Sequence, residues 1–339
     1  MPSPLRILLL GGSGVLGEPA ARALRAAGHR VTVVTRGGRP VPEGVDLRVA
    51  DRRDAGDLAR ALAGQTFDLT VDFLAYTDAD VVRLLDLPGF RAGRYVMIST
   101  GQVYLVSAER RPPFVEADAA LPAMPEPTEG TRDHANWIYG MGKRGAEAEV
   151  SRRRAGGLDA VVLRLPVVQG ARDGSRRLWA YLQRMLEGGP LLLPDGGVGP
   201  VRFVWAEDVA RALVLLASGV ATPSPAYNLA MPDEPTLMGL LTHAAACLGI
   251  TPVFVSCTQS DVEAAGIEPS FSPYSGSWCS RPDPTLIQRE LRFAATPSHR
   301  WLPDVVRAHL AEPEPVSDMG YVTRAAELRL VERILAQEG

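Results

Sequence analysis

Tyr139 and Lys143 lie four residues apart in Trp137-Ile138-Tyr139-Gly140-Met141-Gly142-Lys143. On a helix, positions i and i+4 share a face, so the spacing predicts a phenol beside an ammonium. The cation favours the phenolate and lowers the phenol pKa from its usual value of about 10. A phenol tuned in this way can give or take a proton at a carbonyl or alcohol carbon. Upstream stands Gly11-Gly12-Ser13-Gly14-Val15-Leu16-Gly17, which fits G-x-x-G-x-x-G from Gly11 and G-x-G-x-x-G from Gly12. Glycines there permit a tight turn and let the backbone approach a pyrophosphate, while a following helix offers free N–H groups and a partial positive charge. A dinucleotide turn ahead of a tuned phenol predicts hydride transfer to or from a small-molecule substrate.

The surrounding pattern supplies the elements that would hold these groups. Arg6–Leu10 is a continuous apolar run ending in glycine, as in a buried parallel strand. Val15–Ala27 has helical spacing, and Arg30–Thr35 reads as a second strand. This is the βαβ context that gives a glycine motif meaning. Strands are also predicted at Val45–Val49, Asp68–Leu74, Tyr95–Ser99 and Val161–Leu165, with helices at Asp54–Leu62, Asp78–Leu87 and Asn136–Ala155. Residues 107–136, rich in Pro, Glu and Ala, read as a long loop over the cleft. The alternation predicts an α/β fold with a Rossmann-type doubly wound parallel sheet and a smaller mixed C-terminal substrate lobe, with ligands at the carboxyl ends of the strands. The expected division is a dinucleotide-binding domain at 1–168, with returning segments near 201–230, a substrate lobe at 169–316, and a C-terminal helix at 317–339. Pro225–Leu229 looks like a strand that returns to the first sheet. In the last segment, Leu328, Val331 and Leu335 share one face, expected to dock on the core.

Bulk composition narrows the function classes. The 339 residues are 46% hydrophobic and 22% charged, with net charge −3, enough for a large core and two lobes. No basic stripe is present, which argues against a nucleic-acid partner. No apolar run approaches the about 18 residues of a membrane span. Cys247, Cys257 and Cys279 have no metal or redox spacing, so no metal is expected. Sparse thiols and the absence of a signal-like segment predict a cytoplasmic location.

The second strand ends in Thr35-Arg36-Gly37-Gly38-Arg39 rather than in the acidic residue that usually holds the adenosine ribose. Arg36 can pair with a 2′-phosphate and stack on adenine. NADP(H) is therefore the preferred cofactor, with NAD(H) possible. Asp51, after the third strand, is positioned to accept from the adenine amino group. A hydroxyl where Tyr95–Ser99 breaks into polar residues would face the nicotinamide.

With turn, hydroxyl and Tyr-x-x-x-Lys in this order, the chain resembles the extended short-chain dehydrogenase/reductases, also called the NAD-dependent epimerase/dehydratase family, over roughly Leu5 to Leu310. Matching Val103-Tyr104 to the family's Val-Tyr implies that Thr100 orients the substrate oxygen, with Ser99 just behind it near the cofactor. The resemblance implies Tyr139 as acid/base and Lys143 as holder of the nicotinamide ribose. It places Leu74, Ala75 and Tyr76 beneath the cofactor, and Pro166 and Val168 beside the nicotinamide. Val204–Ala210, with Asp208, and Tyr227–Ala230 match later landmarks. The family often pairs through helices of the first lobe, which leaves room for a homodimer.

Two departures narrow the reaction. Dehydratases of the family carry Asp and Glu where this chain has Gly101 and Gln102, and neither of these can transfer a proton at neutral pH. Sugar-nucleotide epimerases carry an arginine at the position of Val201; Arg202, one residue on, would point to the opposite face of a strand. Gln102, Tyr139 and Arg202 are the candidate substrate contacts. Trp205, Phe271, Tyr274 and Trp278 suggest an apolar second lobe or its core. The leading expectation is an oxidoreductase interconverting a ketone and a secondary alcohol on a sugar-like or natural-product-type molecule. The alternatives are an epimerase working on retained NAD and a dinucleotide sensor without catalysis.

Overall fold

The computed structural model describes residues 3–171, 173–312 and 321–338. In chain order the elements are β1 (Arg6–Leu10), α1 (Gly17–Ala26), β2 (Arg30–Thr35), β3 (Asp46–Val49), α2 (Ala55–Leu62), β4 (Leu69–Asp72), α3 (Asp78–Leu85) and β5 (Arg94–Thr100). Next come α4 (Gln102–Leu105), α5 (Arg132–Ala155), β6 (Ala160–Leu165), β7 (Val167–Gln169), α6 (Arg177–Leu186), β8 (Leu191–Pro194) and β9 (Phe203–Trp205). The chain ends with α7 (Ala206–Ala217), β10 (Ala226–Asn228), α8 (Leu237–Cys247), β11 (Phe254–Cys257), α9 (Gln259–Ala264), α10 (Thr285–Leu291), α11 (Ser298–Ala311) and α12 (Arg324–Glu338).

Among the described residues, seven strands form one sheet in the order β3-β2-β1-β4-β5-β6-β10, every neighbouring pair parallel. β1 is buried on both faces. Ile7 and Leu9 pack with Leu24 of α1 and Leu213 of α7, whereas Leu8 and Leu10 pack with Leu58 of α2, Leu84 of α3 and Val150 of α5. This two-sided burial explains the unbroken apolar strand. The strand order reverses between β1 and β4, and the register aligns their carboxyl ends, pairing Leu10 with Asp72; on the β5–β6 pair Thr100 stands opposite Leu165. The glycine turn, the segment after β4 and the segment after β5 thus emerge along one edge, where such sheets bind ligands.

The chain divides into two units. The first comprises the chain up to Gly170 with Phe203–Ala230 and Ser280–Ala295; the second comprises Ala171–Arg202, Met231–Cys279 and the chain from Thr296. β10 joins the first unit's sheet beside β6. In the second unit β8 pairs with β11, and Phe271 and Tyr274 are buried core residues. There the buried face of α12 is Arg324, Glu327, Leu330 and Val331, while Leu335 is exposed, so the docking face is rotated from the expected one. Residues 313–320, where the expected substrate lobe ends and the C-terminal helix begins, lie outside the described residues.

The expected loop at 107–136 contains a 3-10 turn at Glu116–Ala120, and α5 begins at Arg132, four residues before Asn136. Thr131 explains the early start: its hydroxyl accepts the His134 N–H at 3.1 Å as an N-cap. His134 and Asn136 are therefore helical. No helix among the described residues is long and apolar enough to cross a membrane.

Candidate active site

The turn after β1 is built by close contact. Gly11 has φ +95°, a conformation that disfavours side chains. A Cβ on Gly17 would lie 2.4 Å from the Gly11 carbonyl oxygen, so only glycine lets α1 start against the turn. At Gly14 a Cβ would meet nothing within 4 Å, leaving open space over the helix start. Leu16 caps α1 without a side-chain hydrogen bond. Val15 and Leu16 are half-buried.

A cavity of about 900 Å³ adjoins this turn, lined by Gly11, Ser13, Gly14, Arg36, Arg39, Asp51, Arg53, Leu74 and Tyr76 among others. Its glycine backbone, its uncapped helix start and its arginines fit the phosphates of a dinucleotide. Asp51 is committed to Arg53, which reaches it through Nη2 at 2.8 Å and through its backbone N–H at 2.9 Å. Arg53, with a smaller contribution from Arg36, holds the Asp51 carboxyl down at about 2.

Lys143 is 2% exposed, and its Nζ donates to the Ile98 carbonyl at 2.9 Å. The same Nζ stands 4.8 Å from the centre of the Tyr76 ring. Tyr139 is 36% exposed, with its ring 6.1 Å from that of Tyr76. Burial pulls the Lys143 ammonium down to about 8, against the charges of Asp72 and Glu147, which favour the protonated form. Two glycines make this approach feasible. A Cβ at Gly142 would lie 2.8 Å from the Tyr76 carbonyl oxygen, and one at Gly140 would lie 2.5 Å from Val106 Cγ1. Each glycine weakens a helix interior by up to about 1 kcal/mol relative to alanine, so α5 exchanges propensity for contact.

Thr100 ends β5, and its Oγ1 accepts the Gln102 backbone N–H at 3.2 Å. The Gln102 side chain donates to Asn136 Oδ1 at 3.2 Å, tying α4 to the first turns of α5. Gly101 has no room for a side chain: a Cβ there would fall 1.9 Å from Ser280 Oγ and 2.5 Å from Ser280 Cβ.

Two buried networks support this arrangement, and neither was evident from spacing. Arg52 donates to Asp72 Oδ1 at 2.6 Å and to the Asp80 carbonyl at 2.7 Å; Asp72 also accepts from Tyr95 at 3.0 Å and from the Leu74 N–H at 2.8 Å. Asp80 accepts the N–H groups of Tyr76 and Thr77, each at 3.0 Å. On the other side, Glu147 accepts from Ser99 at 2.5 Å and from Arg164 at 2.7 Å. Arg164 in turn bonds Tyr104, whose hydroxyl donates to Asn228 at 2.6 Å. One readable signal was missed. Lys143 is the only lysine in the chain; the other 35 of the 36 Lys and Arg residues are arginine.

Not every predicted contact reaches the cavity. Ser99, expected beside the cofactor, is buried with its hydroxyl on Glu147, so it belongs to the scaffold. The Ala75 side chain packs into the core beneath the sheet. Pro166 is buried, and Val168 pairs with Val204 between β7 and β9. Asp208 is buried and pairs with Arg211. Arg202 lies in the second unit, facing Glu234 at 3.4 Å.

The model of the NAD dependent epimerase/dehydratase family matches residues 7–230. Among characterised proteins, the chain is 31% identical over 225 residues to the 2′-dehydrokanamycin reductase of Streptomyces kanamyceticus, covering 62% of this chain and 58% of that one. It therefore spans little more than half of that relative. It is 29% identical over 272 residues to a 3-diazoavenalumate denitrifying reductase of a Streptomyces species, covering 73% and 83%. Among solved structures, a UDP-glucose 4-epimerase from Thermotoga maritima superposes with TM-score 0.69 at 18% identity, covering 91% of this chain and 100% of that one. A dTDP-glucose 4,6-dehydratase from Streptomyces venezuelae gives 0.64 at 22%, covering 91% and 97%. At these identities the structural likeness is one of fold.

Proposed function

Since the chain belongs to the NAD dependent epimerase/dehydratase family, we propose that it is an NADP(H)-dependent oxidoreductase that interconverts a ketone and a secondary alcohol on a sugar-like or natural-product-type small molecule. The observation that carries this reading is the contrast at the end of β5. Tyr139 and the buried Lys143 both approach the Tyr76 ring, at 6.1 Å and 4.8 Å, while Gly101 and Gln102 offer neither acid nor base for elimination. Two relatives named as reductases support the same direction.

When bound, a nicotinamide cofactor would supply or accept the hydride. Tyr139 gives the proton to the substrate oxygen in reduction and takes it in oxidation. The Thr100 hydroxyl donates to that oxygen and orients it. Lys143, anchored on the Ile98 carbonyl, keeps positive charge one helical turn from the phenol and stabilises its anion. Gln102, held by Asn136, is a polar substrate contact. Gly11–Gly17, Arg36 and Leu74 would hold the dinucleotide, with Tyr76 beside Lys143.

The preference for NADP(H) rests on Arg36 and Arg39 at the cavity wall, where Asp51 is already paired with Arg53. A charge-assisted hydrogen bond to a phosphate contributes about 1.5–3 kcal/mol, so Arg36→Ala is expected to weaken NADPH by roughly ten- to a hundredfold and to leave NADH nearly unchanged. Fluorescence titration with both cofactors checks this, and equal losses would remove the 2′-phosphate assignment. Reductase chemistry requires one NADPH oxidised for each product formed, read at the reduced-nicotinamide absorbance against product. Turnover with no net NADPH loss would instead identify an epimerase.

A further inference from the structure

We infer that the Tyr76 side chain is a positioning residue for the catalytic lysine: its ring face carries the Lys143 ammonium and fixes it on the side of α5 that Lys143 shares with Tyr139. The inference rests on the reading of Lys143 and Tyr139 as the proton-handling pair, and adds a third side chain to it.

An ammonium has three donors and no acceptor. The Ile98 carbonyl takes one of the Lys143 donors at 2.9 Å, and the Tyr76 ring lies 4.8 Å from the same nitrogen, within the range of a cation–π contact. Lys143 is 2% exposed although Tyr76 itself is 47% exposed, so the ring stands between the amine and solvent. It also reaches Tyr139, ring to ring, at 6.1 Å. With two directions taken, the ammonium has one donor left for a ligand or the phenol.

The ring is in turn held from its backbone. Asp80 Oδ2 accepts the N–H of Tyr76 at 3.0 Å, Arg52 binds the Asp80 carbonyl at 2.7 Å, and Arg52 is locked to the fully buried Asp72 at 2.6 Å. Gly142 allows α5 to pass within van der Waals reach of the Tyr76 carbonyl. This bracket joins the residues after β3, which line the adenosine side of the cavity, to the ring over the lysine. Tyr76 lines that cavity as well, so a ligand entering it would meet the ring before the amine.

Because Lys143 is the sole lysine, protein labelled with ¹³C at the lysine ε-carbon yields one lysine side-chain signal and reads this geometry without a substrate. In the wild type the ε-protons are expected upfield of ordinary lysine, shifted by the ring current, with a nuclear Overhauser contact to the Tyr76 ring. Tyr76→Phe should keep both, with NADPH affinity within about twofold. Tyr76→Leu should lose the upfield shift and bind NADPH roughly three- to thirtyfold more weakly, the range of a cation–π contact. An unchanged lysine signal in Tyr76→Leu overturns the inference, as does a Tyr76→Phe variant displaced as far as Tyr76→Leu. If Tyr76→Leu does not fold, the wild-type contact decides: its absence overturns the inference and its presence supports it. Failure of the wild type to bind NADPH would sink the cofactor assignment instead, leaving the lysine signal to judge Tyr76.

Discussion

Tyr139→Phe is expected to bind NADPH with wild-type affinity while turnover falls by about 10²- to 10⁴-fold, the usual contribution of a positioned acid or base. The variant keeps the ring and hence the 6.1 Å approach to Tyr76. It also leaves Lys143 on the Ile98 carbonyl, so the only group removed is the phenolic proton carrier. Tyr139 is 36% exposed and the lysine 2% exposed, so solvent reaches the phenol and not the amine. Single-turnover measurement with saturating NADPH separates the chemical step from binding. Undiminished turnover would reassign the acid, and loss of cofactor binding would make Tyr139 structural.

Glu147→Ala is expected to cost about 3–5 kcal/mol of folding stability, because breaking one partner of a buried pair leaves the other charge uncompensated. Glu147 and Arg164 are 9% and 7% exposed, and three bonds of 2.7–3.1 Å join them. The substitution also strands the Ser99 hydroxyl and weakens the hold on Tyr104 and Asn228. Denaturant unfolding checks it, with the paired replacement Glu147→Met and Arg164→Met expected to recover much of the loss. A change of less than about 1 kcal/mol, the scale of an exposed pair, would contradict the assignment. The carboxylate also favours protonation of Lys143, so its removal should lower the proton affinity of the amine further.

Much of this was legible in the chain because it is local. β1, the glycine turn and α1 are contiguous, and the i, i+4 relation of Tyr139 and Lys143 needs only helix geometry. Strands buried on both faces read as apolar runs, and β10 was recognisable from Tyr227 and its neighbours. What escaped depends on partners distant in sequence. Arg52 meets Asp72 across 20 residues, and Glu147 meets Arg164 across 17. The segment Ser280–Ala295 clusters with the first unit without any strand to announce it. The early start of α5 was announced by Thr131, but a stretch dense in proline and glutamate obscures a cap. The single lysine needed only counting: every other strong base in the chain is a guanidinium, and the one amine lies four residues from Tyr139.

The contact at Gly101 limits what this position can hold. The resemblance to dehydratases would put an acid at position 101, and here Ser280 occupies that space. An acidic side chain at 101 therefore needs a compensating change at 280, 179 positions away, because its Cβ would fall 2.5 Å from Ser280 Cβ. In that sense Ser280 acts as a lock on position 101, keeping the end of β5 without a side chain there.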